Sequence, residues 1–287
     1  MLNTQFSLQS EINRQQALEA QIAQLQIDIS SGTKVHVASD DPQAAARIAQ
    51  IGRQQSDEGV YAGNVKQGQA ITSLIDTNLG GVQNALIQAK TLMLQAKTGT
   101  MSDNDRQAII TSLQGIQQDL QNAAAQKDSS GNPLFVKGTQ PTQIPIGTNT
   151  NIAAADSYDE VFGSVTVTSG KNSAKIVSID SIIADAISSL QPGGGPISMD
   201  DATNQLDDAA SHISMAQSDL GVRESRFDAA SDALATSATD LKAERSGLED
   251  TDATAAYAEM SSKMTILNAA QSVLASLNKV SLFDKIN

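Results

Sequence analysis

The chain has 287 residues, enough for one or two domains with cores of their own. Aromatic residues make up only 3% and tryptophan is absent, while Ala, Gln, Ser and Leu fill long stretches, which favours helical rods and bundles over a compact α/β enzyme. A net charge of −13 without a basic stripe argues against nucleic-acid binding, and the absence of cysteine removes disulfides, thiolate metal sites and cysteine nucleophiles together.

The opening Met1-Leu2-Asn3-Thr4-Gln5-Phe6-Ser7 has neither a basic nor an apolar leader segment, so no cleaved signal peptide is expected. No apolar run reaches the roughly 18 residues of a membrane span. From Leu8 to Ile29 the pattern is helical, and Leu18, Ile22, Leu25 and Ile29 form a coiled-coil seam. Five charged residues (Glu11, Arg14, Glu19, Asp28, Lys34) precede Ser39, so this seam needs a partner. Gly32 suits a left-handed helix stop. Lys34 to Val37 is expected to be extended. Asp40-Asp41-Pro42 restarts a helix, with Asp at the cap and Pro in the first turn.

A single long helix is expected from Pro42 to Lys97, weakened near Gly59 to Gly68 and spanning about 80 Å. Ser102-Asp103-Asn104-Asp105 caps another, carrying Ile109, Leu113, Ile116 and Leu120 to about Gln126. From Asp128 the composition turns to Gly, Pro, Asn and Thr, which is turn chemistry. Val161, Val165 and Val167 suggest a strand or hairpin. A short helix over Ile179 to Leu190 closes at Gln191-Pro192-Gly193-Gly194-Gly195-Pro196.

A long amphipathic helix follows from Ser198 to Asp252. Its Leu206, Ile213, Leu220, Phe227, Leu234, Leu241 and Leu248 are all seven apart, and acids such as Asp200, Asp207, Asp219 and Asp228 fall on the face expected to be outward. Ala255 to Val280 is again poor in charge, with Met260, Met264, Leu267, Leu274 and Leu277 on one side.

The layout is nearly mirror-symmetric, so the expected fold is mainly α. Long helices from both termini build a rod or bundle, and a small β-containing insert sits at the tip. The expected divisions are a coiled-coil segment 1–40 pairing with 253–287, inner rod halves 41–132 and 198–252, and an insert 133–197.

With Ser30-Ser31-Gly32-Thr33-Lys34-Val35, Ser39-Asp40-Asp41-Pro42-Gln43-Ala44-Ala45, Asn64, Asp128-Ser129-Ser130-Gly131-Asn132-Pro133-Leu134-Phe135 and Ser281-Leu282-Phe283-Asp284, the chain resembles the flagellin family. Within it the Asp-Asp-Pro step and the Ser-Leu-Phe-Asp ending are similar to the branch that joins hook to filament. The likeness covers about residues 20–135 and 200–284. The opening Met1-Leu2-Asn3-Thr4 and the Lys285-Ile286-Asn287 extension depart from the family's usual ends.

The resemblance implies a structural subunit of the bacterial flagellum, exported largely unfolded by the flagellar type III route and working outside the cell. It implies neighbouring copies, a companion hook-associated junction protein, filament flagellin and an export chaperone as partners. The expected assembly residues are Leu18, Ile22, Leu25, Ile29, Met260, Met264, Leu267, Leu274, Leu277, Leu282 and Phe283, with Gly32, Asp40, Asp41 and Pro42 shaping the loop. A filament flagellin is the first alternative and a coiled-coil scaffold the second.

Enzyme chemistry finds little support in the residues, and no cofactor is expected. His36 and His212 are the only histidines, and neither belongs to a His-Glu-x-x-His or Glu-x-x-His metal pattern. Asp40-Asp41 reads more readily as a helix cap than as a catalytic pair. Gly193-Gly194-Gly195 lacks the strand and the Lys-Ser/Thr of a phosphate loop.

Overall fold

A computed structural model describes residues 2–98, 101–138, 141–170 and 173–283, with side chains described from residue 9 to 276 outside those gaps. The chain is mainly helical: α1 (Leu2–Ser31), α2 (Pro42–Ala96), α3 (Asp103–Ala124), α4 (Ile179–Ser189), α5 (Met199–Glu249) and α6 (Ala253–Phe283). Between α3 and α4 lie β1 (Gln143–Gly147), β2 (Thr150–Ala153), a π-helical turn (Asp159–Gly163), β3 (Val165–Thr166) and β4 (Ile176–Val177). Two compact units result: Met1–Ser56 with Ala238–Asn287, and Asp57–Ser237. The helices α2 and α5 contribute residues to both.

The core of the second unit is built on aliphatic seams. Leu79, Leu86 and Met93, seven apart on α2, are fully buried with Leu113 of α3 and Ile182 and Ile183 of α4. From α5 the heptad positions Leu206, Ile213 and Leu220 join the same core, each buried side chain contributing about 1.5–3 kcal/mol. Phe227, the next heptad position, enters a smaller core with Val65, Ile144, Ile152 and Ala154.

Local chemistry sets the helix ends. Ser102 and Asp105 close a reciprocal capping box at the start of α3. Ser198 accepts the Asp201 amide at 3.0 Å at the start of α5. Gly195 is required by close approach: a Cβ there would lie 2.6 Å from the Ser189 backbone nitrogen. The triple glycine is therefore a tight turn against the end of α4.

Several expectations are corrected. α2 runs unbroken through Gly59 to Gly68, because packing at Val65 and Ile75 outweighs the weak helix propensity of glycine. Gly68 has a use of its own, since the Phe227 ring rests where its side chain would be. Beside Lys34 to Val37, which carries no regular element, a single antiparallel bridge joins Thr33 to Asp250. Val161 belongs to the π-helical turn, while Val165 pairs with Val177 in the β3–β4 hairpin.

A second hairpin, β1–β2, falls in the stretch expected to be turn. Ile144 faces Ile152 across it, and the register shifts between Pro145 and Gly147. A bulge tolerates the proline that a regular ladder would reject. Asn64 of α2 anchors it, donating from Nδ2 to the Pro145 carbonyl at 2.8 Å.

The acids Asp200, Asp207, Asp219 and Asp228 of α5 are exposed, and three of them also reach across to α2. Asp207 accepts from Lys90 Nζ at 2.6 Å, Asp228 accepts from Gln69 at 2.7 Å, and Asp200 pairs with Lys97. Each step back along α2, from 97 to 90 to 69, is matched by an equal step forward along α5, from 200 to 207 to 228. These contacts form a polar ladder in heptad register beside the apolar seam. Thr168 binds Asp208 through its amide at 2.8 Å, so a fourth acid ties the β3–β4 hairpin down.

Candidate assembly interface

The candidate site is the pairing of α1 with α6 and the two connectors beside it, all within the first unit. The helices run antiparallel: Thr33 bridges Asp250 near one end, and Lys263 donates to Gln21 Oε1 at 2.8 Å further along. Of the expected seam residues, Ile22 is buried. Leu18, Leu25, Ile29, Met260, Leu267 and Leu274 are half-buried. Met264 is 42% exposed and lines a shallow cleft with Ile22 and Leu267. The side chains of Leu277, Leu282 and Phe283 lie outside the described residues.

The pair does not cover its own apolar surface. Ile27, on α1, and Tyr257, Ile266 and Val273, on α6, are all at least half exposed. The last three flank the α6 seam, and sequence reasoning passed over them because a strict seven-residue pattern marks the centre of a stripe, not its margins. Glu259, Lys263 and Lys279 are the charged residues of the sequence Ala253–Phe283, and the first two pair with each other at 3.2 Å. A helix this apolar and this sparsely charged gains free energy by further burial, at about 25 cal/mol per Å².

The connectors are clasped together. The Lys34 amide donates to the Glu249 carbonyl at 2.8 Å, the Thr251 amide donates to the Gly32 carbonyl at 2.9 Å, and Lys34 Nζ reaches the Gly247 carbonyl at 3.1 Å. Gly32 sits at φ 76°, the left-handed conformation that lets its amide close α1 onto the Asp28 carbonyl. The two adjacent aspartates do different things. Asp41 caps α2, its Oδ1 accepting the Gln43 and Ala44 amides at 3.0 Å, with Pro42 as first helical residue. Asp40 closes the preceding loop by accepting the His36 and Val37 amides, and the Val37 and His36 bonds hold its carboxyl below the ordinary carboxylate range. Asp252 repeats the cap at the start of α6.

His36 Nε2 lies 3.0 Å from Asp28, and His212 Nε2 lies 2.9 Å from the Glu160 carbonyl. Both histidines are thus tied into loop and helix packing. Among the described residues no three His, Cys, Asp or Glu side chains gather as a metal site. Arg47 and Glu244 join α2 to α5 within this unit through two parallel bonds of 2.5 and 2.9 Å, which raise the arginine and lower the carboxylate.

Comparison with known proteins bears on the same surfaces. The model of the bacterial flagellin N-terminal helical region matches residues 2–139, and that of the C-terminal helical region matches residues 203–284. The chain belongs to the flagellin family. This flagellin-family chain is 22% identical to flagellar hook-associated protein 3 of Escherichia coli over 89% of its own length and 90% of that protein. It is 30% identical to the protein of the same name from Salmonella typhimurium, over 47% of this chain and 42% of that one. Flagellin of Listeria monocytogenes is 22% identical over 90% of this chain and 88% of that one. In fold it is similar to a flagellar hook-associated protein from Vibrio parahaemolyticus, with a TM-score of 0.65 at 17% identity, covering 74% of this chain and 100% of that one.

Proposed function

We propose that this flagellin-family chain is a structural subunit of the bacterial flagellum that joins hook to filament, and that it turns over no substrate. The observation that carries the reading is the α1–α6 pair, whose flanking apolar residues stay uncovered on sparsely charged helices. Such a surface is completed by neighbours. The relatives named hook-associated protein 3 set the position in the flagellum. The assembly residues are Leu18, Ile22, Leu25 and Ile29 of α1 with Met260, Met264, Leu267, Leu274, Leu277, Leu282 and Phe283 of α6. The partners are neighbouring copies, the companion junction protein, filament flagellin and, before export, a chaperone that covers the C-terminal helix. The subunit works outside the cell.

Immunogold electron microscopy with antibody against residues 133–197 tests the position. A band confined to the hook–filament boundary is the expected result. Label along the whole filament would establish the alternative that the Listeria flagellin likeness favours, and the absence of flagellar label from expressing cells would refute both. Removal of Ser281 to Asn287 leaves the second unit folded and abolishes incorporation; a truncated chain that still assembles sinks the terminal interface.

A further inference from the structure

A groove of about 460 Å³ lies between α2 and α3 in the second unit. Leu74, Val82 and Leu120 make its apolar wall, and Asp119 stands at the rim. Its floor carries an unmet demand. Asn78 is 8% exposed, and its Nδ2 donates to the Ala123 carbonyl at 3.0 Å and to Gln126 Oε1, which fixes the amide. The buried Asn78 Oδ1 then has no hydrogen-bond partner among the described residues. The exposed Asp119 carboxylate likewise has no partner among the described residues, which selects a cationic donor.

The same chain displays a surface with those properties. On α5, Met215 and Val222 stand seven apart and are 60% and 61% exposed, on the side away from the buried Leu206–Ile213–Leu220 seam. Arg226, one turn beyond Val222, shares that face and is exposed without a partner among the described residues. Two apolar knobs followed by a free guanidinium match an apolar groove with a free carboxylate at its rim.

We propose that the α2–α3 groove of one copy receives the Met215–Val222–Arg226 face of α5 from a second copy. Arg226 pairs with Asp119, while Met215 and Val222 fill the apolar wall. The contact joins two different surfaces, so it repeats from copy to copy and closes into a ring or grows into a tube, in place of stopping at a pair. This deepens the reading of the chain as an assembling subunit and rests on it.

The chain has no cysteine, so a specific cross-link can be introduced cleanly. The full chain carrying Asp119→Cys and Arg226→Cys together is oxidised at high concentration and run on a non-reducing gel. Covalent species of three and more copies are expected from the double variant, while each single variant stops at two. Asp119→Lys reduces the yield of chemically cross-linked multimers of the otherwise native chain by about tenfold, and adding Arg226→Glu restores it to within about twofold. A double-cysteine chain that stops at two copies, or a charge swap that restores nothing, overturns the inference. Immunogold decides the flagellar reading separately. Gold at the junction with no covalent multimers refutes the groove contact alone, and multimers without flagellar label refute the junction role alone.

Discussion

Gly68→Ala should destabilise the native chain yet stabilise one that carries Phe227→Ala. A Cβ on residue 68 would lie 2.5 Å from Phe227 Cζ and 2.9 Å from Cδ1, well inside van der Waals contact. The ring cannot move aside cheaply, because it is fully buried against Val65, Ile144 and Ile152. Overpacking of this kind costs about 1–3 kcal/mol. Against it stands the gain from replacing glycine inside α2, about 1 kcal/mol. The balance is a loss of about 0–2 kcal/mol. Phe227→Ala alone costs about 3–5 kcal/mol and leaves the space that the new methyl needs. In that background only the propensity gain remains, so Gly68→Ala becomes favourable by about 1 kcal/mol. Urea unfolding of the four full-length chains, followed by far-ultraviolet circular dichroism, closes the double-mutant cycle. A Gly68→Ala chain more stable than native would refute the reasoning, and so would an effect of the same sign in both backgrounds.

Other perturbations act on the loop, the ladder and the titrating groups. Asp41→Ala removes the α2 cap and should cost about 1 kcal/mol, whereas Asp40→Ala should open the loop without fraying that helix. Amide hydrogen exchange at Gln43 and Ala44, compared with His36 and Val37, separates the two. Removing Lys90 or Asp207 should cost less than about 1 kcal/mol, because the pair is largely in solvent, and exchanging the two charges should retain the coupling that either single reversal loses. Stability should fall in acid. Asp40, Asp105, Asp128, Glu160 and Glu244 are all held below ordinary values by hydrogen bonds, so their contributions are present above about pH 4.5 and lost as pH falls through the lowered values. Asp185, raised by burial, has the opposite sign and favours the fold below its ordinary pKa. Thermal unfolding from pH 6 to pH 2 should show a net decrease, and a flat profile would contradict it.

What the sequence made legible was local or periodic. The seven-residue spacing on α5 located Leu206, Ile213, Leu220, Phe227 and Leu241, all buried, because a helix face repeats at that interval. The starts of α2 and α3 were visible because a cap lies within three residues of the amides it satisfies. What stayed hidden depends on partners far along the chain. Asn64 anchors Pro145 across 81 residues, Lys90 finds Asp207 across 117, and neither pairing has a local signature. Pro145 and Gly147 concealed the β1–β2 hairpin because residues that mark turns also mark bulges. At the candidate interface, the spacing located the centre of the α6 stripe but not Tyr257, Ile266 and Val273 at its edges.

The clasp between the connectors gives the chain a sense of its own completeness. Lys34 Nζ meets the Gly247 carbonyl across 213 residues, and Gln21 meets Lys263 across 242. Bringing such distant segments together carries an entropy cost on the order of 5 kcal/mol before any contact offsets it, so these bonds form after the interior helices have packed. A chain delivered from its N-terminus holds α1 without its mate until the final stretch arrives. The first helix made is therefore among the last to be secured, and a copy cut short anywhere before α6 presents an open seam where a whole one presents a joined pair.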